Sequence, residues 1–113
     1  MDLYEELNNK ISQLEYSIKS LRQNGTAYAE AERNYKIKLR EECLKLRDEG
    51  MAVTLIEKVA YGIPSVAELR FKRDVAEATY KANQEAINSI KLQMRLIENQ
   101  ISREYENTGK GNL

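Results

Sequence analysis

From Ser65 to Glu106 the chain has neither proline nor glycine, and its apolar residues fall on one helical stripe: Val66, Leu69, Ala76, Tyr80, Ile87, Ile90, Met94, Ile97 and Ile101. Steps of three and four, interrupted only by Arg73 and Asn83, are the period of a helix. A second run, Phe71, Val75, Ala78, Ala82, Leu92 and Leu96, keeps the same rhythm on a neighbouring face. One helix of this extent would be roughly 60 Å long at 1.5 Å per residue. No compact globule of 113 residues encloses such a helix, so an element of similar length is expected to lie against it.

The first half of the chain supplies that element. From Leu3 the apolar residues step through Leu7, Ile11, Leu14, Ile18 and Leu21, and the same repeat continues to Tyr28, Tyr35, Leu39 and Leu46. Asn24-Gly25 interrupts it. Asn-Gly is a turn signal and Thr26 is a possible cap for a new helix. Against a turn, the phase of the stripe survives the break, and a glycine inside a helix costs only about 1 kcal/mol relative to alanine. Both a continuous or kinked helix and a true turn stay open at this point.

Glu49-Gly50 closes the segment, glycine being the usual residue just past a helix C-terminus. Thr54 with Glu57, and Ser65 with Glu68, have the spacing of capping boxes. They predict a short connector helix over 54–61, stopped by Gly62, and a long helix over 65–106. The first long segment covers 2–48, and the stretch 107–113, with two glycines and no periodicity, reads as a flexible tail. The expectation is a single all-α domain: a long antiparallel helical hairpin with a short connector helix and coiled-coil-like packing. If Asn24-Gly25 turns, it becomes a small three-helix bundle.

Composition narrows the functions available. Lysine plus arginine and aspartate plus glutamate both count 18, so the formal net charge is zero, which argues against a dedicated nucleic-acid coat protein. The one cysteine, Cys43, permits no intrachain disulfide and fits a reducing compartment. The acidic opening Met1-Asp-Leu-Tyr-Glu-Glu6 has no apolar signal core, and no run approaches a membrane span. A cytoplasmic setting without membrane contact is expected.

Catalysis is not expected. With no histidine there is no His-based triad or general base, and the helical Glu-x-x-His metal motif is missing. Cys43 lies beside Glu42, which disfavours a thiolate. Glu41, Glu42, Glu98 and Glu104 read as a solvated face, and no glycine-rich phosphate loop occurs. No catalytic residue, metal ligand or cofactor is therefore assigned.

Binding is the better reading. Phe71, Val75, Leu92 and Leu96 on the last segment, with Ile37 and Leu44 on the first, exceed what one hairpin seam uses. Either a further helix covers them or they form a surface for a protein partner or a second copy, a dimer being favoured. Of seven tyrosines, Tyr28, Tyr35 and Tyr80 lie on the stripes, while Tyr16, Tyr61 and Tyr105 suit an interface. The alternative is a nucleic-acid-binding accessory protein using Arg40, Arg70, Lys72 and Arg73. Short helix, Gly62 and longer helix follow one another as in a helix-turn-helix. Glu68, Asp74 and Glu77 sit among those basic residues, and opposite charges at helical spacing more simply pair with each other.

The wording Asn24-Gly-Thr-Ala-Tyr-Ala-Glu-Ala-Glu-Arg-Asn-Tyr-Lys36, Leu46-Arg-Asp-Glu-Gly-Met-Ala-Val-Thr-Leu-Ile56 and Val66-Ala-Glu-Leu-Arg-Phe-Lys-Arg-Asp74 resembles a group of small uncharacterised helical proteins. They are encoded in phages and prophages of Gram-positive bacteria. The resemblance implies a phage-derived protein in the bacterial host cytoplasm, acting in phage DNA metabolism or against a host defence. Its motifs are turns, caps and stripes, so it assigns no functional residue. Secreted Trp-x-Gly hairpins have a similar length, but this chain contains no tryptophan.

Overall fold

The computed structural model describes residues 2–111, with side chains described for 2–108. All its regular structure is helical: α1, Leu3–Asp48; α2, Val53–Tyr61; and α3, Pro64–Gly111. α1 and α3 pack as the antiparallel arms of a helical hairpin and α2 is the short connector. Paired side chains show the direction. Tyr28 stacks near Tyr80 with ring centroids 6.1 Å apart, and seven residues further along α1 Tyr35 meets Arg73, seven residues back along α3.

α1 does not turn at Asn24-Gly25, so the hairpin forms and the three-helix bundle does not. Gly25 has an ordinary helical backbone, and only Gly50 has a positive φ among the described residues. Its smallness serves packing. A Cβ at position 25 would lie 3.1 Å from Cε2 of Tyr80, closer than such atoms normally come. The Asn-Gly pair is thus a packing notch for an aromatic ring.

The helix ends follow local chemistry, partly by residues other than those expected. Asp2 caps α1, its Oδ1 accepting the Glu5 amide at 2.8 Å, as an Asp-x-x-Glu opening allows. At the other end Gly50 adopts φ +88°, and the Gly50 and Met51 amides donate to the Arg47 and Leu46 carbonyls. That pattern is a Schellman close, which only glycine enters without strain. The expected capping boxes do not form. α2 begins at Val53 after Ala52, with no side-chain cap. α3 begins at Pro64, whose missing N–H is no loss in a first turn. The amides of Val66 and Ala67 donate to Ile63 O, so Ser65 is already helical. α3 also runs past its expected end at 106, through Asn107 and Thr108 to Gly111. No proline stops it, and Thr108 Oγ1 bonds back to Glu104 O at 2.9 Å. Residues 112 and 113 of the expected tail lie outside the described residues.

The contacts cluster into two compact units. One comprises residues 23–81: the end of α1, all of α2 and the start of α3. It holds Tyr35, Ile56, Ala60 and Val66 buried, the last two fully. The other comprises residues 2–22 and 82–111, two helical segments whose deepest side chains are Ile87 and Ile90.

On α3 the inward positions are the predicted stripe, Val66 through Ile101, with Arg73 and Asn83 also turned inward. On α1 the register differs from expectation. The less exposed positions in the N-terminal part include Leu7, Lys10, Leu14, Ser17 and Leu21, while Ile11 and Ile18 are exposed, Ile18 by 50%. Asn83 explains part of this: its Nδ2 donates to the Ser17 carbonyl at 3.0 Å, an approach that a small side chain permits.

Candidate functional site

Helices that share one seam keep their backs free, and here the backs carry apolar side chains. On α3, positions 71, 75, 78, 82, 85, 89, 92 and 96 repeat in steps of four and three, and every one is exposed. They read Phe, Val, Ala, Ala, Glu, Ser, Leu and Leu. Phe71 is 63% exposed and Leu96 58%, with Val75 and Leu92 close to half. Ile37 and Leu44, one heptad apart, are exposed on α1. Thus all six apolar residues singled out in the sequence lie at the surface, and α2 covers none of them.

α2 adds apolar surface that the sequence reading did not single out. Its Ile56 and Ala60 turn into the core, which leaves Val53, Leu55 and Val59 exposed. The signal was present: in nine residues α2 has more apolar positions than one inward face accommodates. Among the tyrosines, Tyr35 is buried, Tyr28 and Tyr80 are half-buried, and Tyr16 and Tyr105 are exposed. Tyr61 is half-buried, with its hydroxyl 3.3 Å from Glu57 Oε1 and Arg70 over its ring at 5.3 Å. The Glu57 charge, with partial burial, raises the Tyr61 phenol above its ordinary value.

The basic residues are largely engaged with neighbours. Arg73 lies 4.5 Å over the Tyr35 ring and donates through Nε and Nη2 to Asp74 Oδ1 at 3.1 and 2.9 Å. Chiefly that hydrogen bond raises its pKa further. Arg70 stacks on Tyr61, while Arg40 and Lys72 are exposed. The lysines nearby have acidic partners: Lys36 with Glu32, Lys38 and Lys45 both with Glu42, and Lys81 with Glu77 at 2.7 Å. The Lys38 hydrogen bond, opposed by partial burial and aided by Lys45, holds the Glu42 carboxyl below its usual range. Lys81 does the same for Glu77, and the Tyr28 hydroxyl adds to it. The result is an interleaved surface of both signs.

Cys43 is a half-buried free thiol. Among the described residues no three Cys, Asp or Glu side chains come together as a metal site, and no helix is long and apolar enough to cross a membrane. A surface groove of about 490 Å³ is wide open between Glu6, Lys10 and Gln13 on α1 and Gln93, Leu96 and Ile97 on α3. Such a shallow, mixed lining lacks the enclosure of a small-molecule site. No family model, curated protein or solved structure matches this chain.

Proposed function

We propose that this protein is a non-catalytic helical interaction protein, which works by laying the exposed apolar face of α3 against a second copy of itself and against a protein target. The mechanism is steric occupation without turnover. One observation carries the reading: the eight heptad-spaced positions on the back of α3 are all exposed, and the largest of them are Phe71, Val75, Leu92 and Leu96. Rows of this kind on a helix are what partner helices bind. The absence of histidine and the lysine pairing of Glu42 and Glu77 also support binding over catalysis. The resemblance to phage and prophage proteins would make that target a host or phage protein in the bacterial cytoplasm.

Nucleic-acid binding is the competing reading, and the engagement of Arg73 by Tyr35 and Asp74 weighs against it. Titrating a short labelled duplex at physiological salt separates the two. Binding weaker than micromolar, falling steeply with added salt, is expected. Submicromolar affinity that disappears in Arg70→Glu/Arg73→Glu would replace the proposal with its competitor.

A further inference from the structure

Asn24-Gly25 is the only Asn-Gly pair in the chain, and the proposed binding face makes no use of it. We infer that Asn24 is a latent site of spontaneous deamidation and isoaspartate formation, held closed by the helical backbone of α1 and by the Tyr80 ring.

The chemistry needs only these two residues and water. The Gly25 main-chain nitrogen, on losing its proton, attacks Cγ of the Asn24 amide. A bond forms between that nitrogen and Cγ, the bond from Cγ to Nδ2 breaks, and Nδ2 takes up a proton and leaves as ammonia. The product is a cyclic succinimide. Water then opens the ring at one of two bonds. Cleavage between Cγ and the Gly25 nitrogen gives aspartate, and cleavage between the Asn24 main-chain carbonyl carbon and that nitrogen gives isoaspartate. Nothing is oxidised or reduced. Glycine favours the attack because it has no Cβ to crowd the nitrogen and its backbone turns freely. Every other asparagine in the chain is followed by a residue that carries a side chain.

The fold withholds this reaction. Both residues lie in the interior of α1, Leu3–Asp48, where a helical amide donates to the carbonyl one turn back, so the Gly25 nitrogen is engaged. Ring closure also requires ψ of Asn24 to leave its helical value, which breaks α1 in its middle rather than at a fraying end. Tyr80 adds a side-chain lock. Its ring packs so closely that a Cβ on Gly25 would lie 3.1 Å from Cε2, and Asn24, Gly25 and Tyr80 are all half-buried. All three belong to the unit of residues 23–81, so the site opens only as contacts within that unit open. Once formed, isoaspartate carries the main chain through Cβ and Cγ and so adds a backbone atom. The helical ladder cannot keep its register past that atom, and a transient opening of α1 becomes a permanent break.

Peptide mapping by mass spectrometry tests the inference on the full-length chain, with isoaspartate scored by enzymatic methylation of its α-carboxylate. In denaturant at mildly alkaline pH, Asn24 should be the first asparagine to convert, and Gly25→Ala should slow it several-fold. Folding has no part in that comparison, so a variant that packs badly against Tyr80 still reports the chemistry. In the native chain the same conversion should be slower by about tenfold or more, and Tyr80→Ala should restore part of the difference. A different asparagine converting first in denaturant would overturn the site. Native conversion as fast as in denaturant would overturn the closure, and a native rate unchanged in Tyr80→Ala would remove the ring from it. Chains carrying isoaspartate at position 24, separated by ion exchange, should melt at a lower temperature than unmodified chains. Equal melting would show that α1 accommodates the added atom and would overturn the permanent break.

Discussion

The unit built from residues 23–81 and the unit built from residues 2–22 and 82–111 use the same two helices and achieve different burial. With α2 added, the first unit encloses Ala60 and Val66 at 0% exposure. The second has only two helical segments, and its best-covered side chains, Ile87 and Ile90, keep 7% and 9%. A helix can hide a single stripe against one neighbour, whereas a third element closes the sides of the seam. The ion pairs described above all lie in the first unit as well. In the second, the seam includes the Asn83–Ser17 hydrogen bond and the half-buried Lys10. The comparison teaches that α2 serves as a plug for one core, and that the remaining apolar surface of both units has no cover among the described residues.

If that contrast is right, the two cores should respond differently to the same insult. Val66→Asp places a carboxylate where no solvent reaches, and a loss of about 4 kcal/mol or more is expected, enough to unfold the chain. Ile90→Asp should cost less, about 2–3 kcal/mol, because a seam of only two helices lies close to water on both sides. Thermal melts followed by circular dichroism give the order, and an Ile90→Asp loss equal to that of Val66→Asp would erase the distinction.

A smaller effect checks the register of α1. Leu14→Ala should destabilise by about 2 kcal/mol, whereas Ile18→Ala should stay within about 0.5 kcal/mol. Equal losses in urea denaturation at dilute, monomeric concentration would return Ile18 to the seam.

The smallest expected effect is acid sensitivity. Glu42 and Glu77, both in the α2-containing unit, have carboxyl groups held below their ordinary value by lysines. A carboxyl lowered in the folded state contributes stability that is present above its unfolded value, about 4.3. That contribution disappears as pH falls through the folded value. Stability should therefore decline below about pH 4.5, and Glu42→Gln should flatten the decline. An unchanged acid profile in that variant would mean that its two lysines add nothing.

These outcomes also mark how far the residues spoke for themselves. The α3 stripe was legible to its polar members, since Arg73 and Asn83 kept the period and turned inward. The α1 stripe was legible only in part. Ile11 and Ile18 satisfied a helical period as well as Lys10 and Ser17 did, and the choice between adjacent positions depends on the opposing helix. Gly25 looked like punctuation because its partner, Tyr80, lies far away in sequence. The starts of α2 and α3 lie one residue before Thr54 and Ser65, because the plain Ala52 and the Ile63-Pro64 pair open these helices in place of a hydroxyl cap. The exposed residues of the candidate site were named correctly as lying off the seam, and those on α2 were missed because its inward face was not resolved from nine residues.

The central claim is that the back of α3 binds a second copy of the chain. Sedimentation equilibrium between about 1 and 100 µM, a range set by ordinary protein affinities, tests it most directly on the wild-type chain and on Val75→Asp/Leu92→Asp. Both substituted residues are exposed, so the variant should keep its helicity. The account predicts a concentration-dependent dimer for the wild type, undiminished at high salt, and a monomer for the variant. A wild-type chain that stays monomeric throughout, or a variant that dimerises as well as the wild type, would contradict it.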